Sequence, residues 1–237
     1  MIGEFINQTY CGAAPDPAEL LMRWNLDPVV LAALVVLLFA VRKSRLGQGA
    51  ALVLFIAFVS PLCALSSALF SARVVHHILL IALAAPLLAM VWPARRPQQP
   101  VLLFAFATVV LWVWHLPALY DLALSNVLVY WIMQLSLIVS AFVFWRAVLA
   151  QQNSAVHNVI LILAAYMQMG FLGAILTFAS EPLYAAHAWG PYAWALTPLS
   201  DQQLGGLIMW VPAGLPYAVF GTLLARRAWH NIDHELA

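Results

Sequence analysis

The sequence predicts an all-α integral membrane protein with seven transmembrane helices, and three observations predict it. Of 237 residues, 65% are hydrophobic and 8% are charged, against roughly 25% charged in soluble domains. The apolar residues fall into runs near the ~20 residues that a helix needs to cross hydrocarbon. The basic residues gather in alternate connections: Arg42, Lys43, Arg45, Arg95, Arg96, Arg146, Arg226 and Arg227 on one side, Arg23 and Arg73 on the other. An excess of Lys and Arg marks the cytoplasmic side, so the N-terminus is expected outside and the C-terminus inside. Residues 1–26 then form an extracytoplasmic tail, 27–228 the membrane domain and 229–237 a cytoplasmic tail, with no room for a second, soluble domain. The start of the chain lacks the basic and apolar regions of a secretory signal, so the tail is expected to stay in the mature protein.

The first span opens at Asp27-Pro28, where Asp27 suits the N-cap and Pro28 the first helical position, and ends at Arg42. Its core is short, which predicts a tilted or partly shielded helix. The second, from about Ala50 to Phe70, contains Pro61, which has no N–H to donate and predicts a kink. The third runs from Val74 to Trp92 and the fourth from Val101 to Trp114. A short interfacial turn or helix over 118–126 leads into the fifth, Val127 to Val148. The sixth spans His157 to Ala179, and a long loop follows. The seventh opens at Ser200-Asp-Gln-Gln203, whose Ser and Gln at i and i+3 read as a capping box. Gly205-Gly206 predicts close helix approach, and Pro212 and Pro216 predict a bend.

The candidate chemistry sits on the outer side. Ser71-Ala-Arg-Val-Val-His-His77 places Arg73 and His77 on one helix face, with His76 about 100° round the axis. His115, at the outer end of the fourth span, is the candidate partner of His77. Neutral imidazole is the commonest metal ligand, and sulfur groups favour Cu(I), so Cys63, Met133, Met169 and Met209, counted deeper in their spans, are candidate further ligands. Arg73, Tyr120, Asp121, His187, Asp201, Gln202 and Gln203 are candidates for an outer cavity or a partner surface. Each has a plainer reading: anchoring at the headgroups for the histidines and arginine, packing for the sulfur residues, and capping for the seventh-span start. Cys11 lies in the tail and Cys63 inside a predicted span, so no disulfide framework is expected.

Zinc-hydrolase, serine-elbow and phosphate-loop motifs are absent, and acidic residues are scarce within the spans. The chain is therefore expected not to be an enzyme. With a net charge of +1 and no run of like charge, no nucleic-acid partner is expected.

Trp114-His-Leu-Pro-Ala-Leu-Tyr-Asp121 together with Asp201-Gln-Gln-Leu-Gly-Gly-Leu-Ile-Met-Trp-Val-Pro-Ala-Gly214 resembles the CtaG family of cytochrome c oxidase assembly factors. Ser60-Pro-Leu62, Leu69-Phe-Ser71, Phe144-Trp145 and Pro182-Leu-Tyr184 extend the similarity over almost the whole chain. The resemblance implies a seven-helix protein of the bacterial cytoplasmic membrane that helps to build a haem-copper oxidase, with copper supply as its usual proposed action. Its implied partners are the oxidase subunits, subunit I among them, and the lipid bilayer, with homo-oligomerisation open. Many members carry a His-x-x-x-His pair where this chain has Arg73 and His77, and a fifth-span histidine where it has Leu135. Two readings from other classes are a copper permease resembling CopD-type proteins, and a membrane cytochrome with two axial histidines. The first expectation is an assembly factor that receives copper, as Cu(I), on His77, His115 and either His76 or a sulfur ligand.

Overall fold

The structure is a computed structural model and describes residues 10–150 and 154–236, without the side chains of residues 227, 228 and 230–236. Among the described residues there is no strand. The helices are α1 (Pro28–Val41), α2 (Arg45–Phe58), α3 (Pro61–Ala68), α4 (Phe70–Ile78), α5 (Ala85–Val91), α6 (Pro100–Val113), α7 (Pro117–Ser125), α8 (Val127–Val148), α9 (Ala155–Thr177), α10 (Pro198–Trp210) and α11 (Gly214–Leu236).

Four helical stretches are long and apolar enough to cross a membrane: Phe70–Val91, Val127–Val148, Ala155–Thr177 and Pro198–Arg226. The bent pairs α2–α3 and α6–α7, turned by 46° and 74°, raise the number to six if each pair is one span. α1 is apolar but has only 14 residues, about 21 Å at 1.5 Å per residue, against ~30 Å of hydrocarbon.

Local chemistry accounts for the ends. Asp27 accepts from the Val29 amide at 2.8 Å and Pro28 opens α1. The second span breaks at Pro61 as its lost donor requires, and Ser60 caps the new helix by accepting from the Leu62 amide. α4 starts at Phe70, four residues before the predicted Val74. It runs into α5 through one stretch of π-helix, Leu79–Ala84. There Pro86 offers no N–H to the carbonyl of Ile81 five residues earlier, and the Trp145 indole of α8 donates to that oxygen at 2.8 Å. The interfacial helix predicted after the fourth span is α7, and α8 coincides with the predicted fifth span. α10 and α11 are separated by a turn at Val211–Ala213, with the Ala213 amide reaching back to Ile208. α8 lies centrally, against α5, α6, α7 and α9.

Two expectations are corrected. Cys11 and Cys63 form a disulfide. The tail folds back onto the bundle, with Tyr10 stacked on Tyr130 and its hydroxyl donating to Asp27 at 2.7 Å. The break at Ser60 sets Cys63 level with Asn25, whose side-chain amide donates to Phe58 O and approaches Cys63 Sγ at 3.8 Å. Cys63 is therefore a buried, disulfide-bonded residue of α3, beyond the break, rather than a free sulfur ligand within a continuous span. The capping box is the second correction. It joins Thr197 and Ser200, because α10 begins three residues earlier than predicted, at Pro198.

Candidate functional site

The site depends on how α4 starts. Leu69 is extended, with φ −118° and ψ 130°, and has no capping side chain. The first amides of α4 need acceptors, and Asp201 of α10 supplies them. Its carboxylate accepts from Phe70 N at 2.6 Å, from Ser71 N at 3.2 Å and from the Ser71 hydroxyl. The helices approach this closely because Gly205 faces the Phe70 ring, where a Cβ would stand 2.5 Å from Cδ1. Gly206 similarly meets the Gly173 carbonyl and Thr177 of α9. The cap fixes where α4 begins, and so which way its next two turns face.

Those turns point Arg73, His76 and His77 inward, at 1%, 0% and 5% exposure. His115, in the turn between α6 and α7, is buried beside them. The rings form a row, with centroids 5.7 Å apart for His76 and His77 and 6.5 Å for His77 and His115. His115 Nδ1 lies 2.7 Å from the Leu111 carbonyl. A carbonyl only accepts, so Nδ1 carries the proton and Nε2 the lone pair. Both nitrogens of His76 and Nε2 of His77 have no hydrogen-bond partner.

Metal–imidazole bonds are about 2 Å long, so two nitrogens on one ion lie at most ~4 Å apart. At 6.5 Å between centroids and 78° between planes, His77 and His115 could share one ion only if a nitrogen of each turned into the gap. Among the described residues no group of three His, Cys, Asp or Glu could hold a metal. Cys63 is withdrawn from the predicted ligands by its disulfide. Met133, Met169 and Met209 are buried, and Met209 packs over Gly173 between α9 and α10.

The remaining predicted residues fasten the loop between α9 and α10. His187 Nδ1 donates to Ala68 O at 3.3 Å and its Nε2 accepts from the Tyr120 hydroxyl at 2.7 Å. Burial first, and the Arg73 charge second, pull this imidazole down to about 3. Asp121 accepts from the Ala185 and Ala186 amides. Gln202 accepts from the Leu183 amide at 2.6 Å and Gln203 donates to Ala179 O. With Asp201 on α4, these polar groups hold protein to protein.

Sequence reasoning missed four members of the assembly. Phe70 stacks on Tyr184 at 4.6 Å, and the Tyr184 hydroxyl donates to His115 O at 3.1 Å. Tyr130 accepts from Arg73 Nη1 at 3.4 Å, and Gln134 lies buried one turn further along α8. A tyrosine and a glutamine at i and i+4 in an apolar span were the visible signal for the last two.

Residues 92–231, more than half of the chain, match the family model described as cytochrome c oxidase caa3 assembly factor. The matched region contains His115, Tyr120, Asp121, His187 and Asp201, while Arg73, His76 and His77 precede it. No curated protein and no solved structure matches the chain. By this match over more than half of its length, the chain belongs to the cytochrome c oxidase caa3 assembly factor (Caa3_CtaG) family.

Proposed function

We propose that this cytochrome c oxidase assembly factor receives copper on the outer side of the bacterial cytoplasmic membrane and passes it to oxidase subunit I by ligand exchange. In this reading the chain crosses the membrane seven times, N-terminus outside, with α1 as a short, tilted first span. The observation that carries it is the pairing of His77 and His115 from separate helices, both buried, with His77 Nε2 unpartnered and the tautomer of His115 leaving Nε2 its lone pair. His76 adjoins them, and Met133, Met169 and Met209 are the sulfur groups that remain as further ligands for soft Cu(I). Ligand exchange favours an incomplete shell, so two or three imidazoles suit a site that must also release its cargo. The protein acts by binding and handing over, without catalysis.

The absence of a three-residue ligand group among the described residues favours a second reading, a scaffold that assists oxidase assembly without holding copper. Substituting both His77 and His115 by alanine separates the two. In the copper-delivery reading, purified double variant loses bound copper and cells lose oxidase activity together. Unchanged copper stoichiometry overturns the ligand assignment, and retained co-purification with oxidase subunits then supports the scaffold. Copper uptake by proteoliposomes without oxidase would instead identify a permease, and a Soret band a cytochrome.

A further inference from the structure

The buried guanidinium of Arg73 is the largest unresolved charge in the described core. It is 1% exposed, and among the described residues the ion pair is Arg23 with Glu19, at the surface. Nη1 makes one long hydrogen bond to the Tyr130 hydroxyl, at 3.4 Å, and the carbon of the guanidinium lies 5.3 Å from the Tyr130 ring centroid. Nε and Nη2 have no hydrogen-bond partner. Those two groups share one edge of the planar fork, the edge that takes an oxyanion in two parallel bonds.

Its surroundings point the same way. Burying an ion unpaired costs several kcal/mol even after relaxation, and neutral Tyr130 cannot balance a full charge. Asp201, the nearest acid along the α4 start, is engaged with Phe70 N, Ser71 N and the Ser71 hydroxyl. Arg73 also stands in the first turn of α4, the end where the helix dipole opposes a cation and favours an anion. Beside it is a further fully buried side chain with unpartnered polar atoms, His76, neither of whose nitrogens has a hydrogen-bond partner. Native cores rarely leave so many polar atoms unsatisfied in one place.

We propose that a small monovalent anion, a halide or a carboxylate, binds in the core on the Nε–Nη2 edge of Arg73, next to His76. The anion neutralises the guanidinium and accepts from donors that have no other acceptor. The inference does not depend on copper, and its test is made without it.

The test is thermal unfolding of the purified, copper-free chain in detergent at constant ionic strength, with sodium gluconate replaced stepwise by sodium chloride or sodium formate. The melting temperature is expected to rise with the logarithm of anion concentration, by roughly 5 to 10 °C at a hundred times the dissociation constant, and the concentration at which the rise sets in is the midpoint of binding. A response to both salts identifies any small anion, and a response to formate alone identifies a carboxylate; either supports the site. Arg73→Met removes the charge and is expected to abolish the response while melting no lower than the wild type without anion. Arg73→Lys keeps the charge without the fork, and its formate midpoint is expected to rise at least tenfold. No rise in the wild type, or the same rise in Arg73→Met, overturns the proposal. Should Arg73→Met not fold, an unchanged formate midpoint in Arg73→Lys overturns it.

Discussion

Asp201 on α10 caps α4 across the bundle, its carboxylate 2.6 Å from the amide of Phe70, 131 residues away in sequence. The helix that carries Arg73, His76 and His77 therefore takes its starting point from another helix. A cap is worth roughly 0.5–2 kcal/mol, and hydrogen bonds to a charged group about 1.5–3 kcal/mol. Asp201→Ala is expected to lower stability by about 2–4 kcal/mol on those principles, and Ser71→Ala by about 1 kcal/mol. Asp201→Asn keeps an acceptor and should fall between them. Thermal unfolding in detergent ranks the three; equal melting of Asp201→Ala and wild type would remove the cap from the account.

The indole of Trp145 and the carbonyl of Ile81 make a second long-range repair. Trp145→Phe keeps an aromatic ring against Tyr217 and Phe220 but leaves a buried carbonyl unpaired, at about 1–3 kcal/mol. Pro86→Ala restores an N–H within the helix. In that background the Trp145→Phe loss is expected to shrink, so the two substitutions should be non-additive in a double-mutant cycle. Additive losses would mean that the π-helix persists for another reason.

Much of the helix order was legible because it follows from local chemistry. Asp27-Pro28 sets the start of α1, Pro61 forces the break between α2 and α3, and the largely apolar run from Val127 to Val148, free of Pro and Gly, is α8. The errors share one cause, dependence on contacts distant in sequence. Phe70 read as the end of the second span and residues 71–73 as the connection to the third, since the acid that makes Phe70 a helix start lies on α10. Cys11 and Cys63 read as unrelated, since nothing local shows the tail returning to stack Tyr10 on Tyr130. In the site itself, the pairing of His77 and His115 was legible from depth alone, while the absorption of His187, Asp121 and Gln202 into loop fastening required the packed fold.

Gly206 offers a contrast within one class of substitution. A Cβ there would stand 2.5 Å from the Gly173 carbonyl oxygen and 2.7 Å from the Thr177 amide, both backbone, whereas at Gly221 the nearest atom is Ile162 Cγ2 at 3.9 Å. Gly206→Ala is expected to force α10 from α9 and to destabilise by about 1–3 kcal/mol. Gly221→Ala meets only ordinary contact and gains helix propensity, up to about 1 kcal/mol. Opposite shifts in melting temperature are the expected result, and equal shifts would refute the close-approach argument.

The disulfide ties the tail to α3 across 52 residues. In the chain-entropy treatment a loop of that size contributes about 4 kcal/mol. Reduction, or Cys11→Ser, should lower the melting temperature and free the segment around Tyr10. The check is maleimide labelling: no modification of the native chain, and two labels per chain only after reduction. Labelling of unreduced protein would show that the bridge does not form.

His187 sets the pH dependence of the loop between α9 and α10. In the folded chain it is neutral, pulled down to about 3 by burial and then by the Arg73 charge, while an unfolded histidine titrates near ~6.5. Between those values the unfolded state binds the extra proton, so stability rises with pH through the window and is lost as pH falls from about 6.5 toward 3. One proton gives a slope of at most about 1.4 kcal/mol per pH unit. Above about 6.5 both states are neutral and His187 contributes no slope. Protonation would place a second cation near Arg73 and end acceptance from the Tyr120 hydroxyl. Melting curves from pH 7.5 to 4.5 should show this slope in the wild type and a shallower one in His187→Gln, which keeps a polar side chain but cannot titrate. Parallel curves for the two proteins would assign the acid sensitivity to other groups.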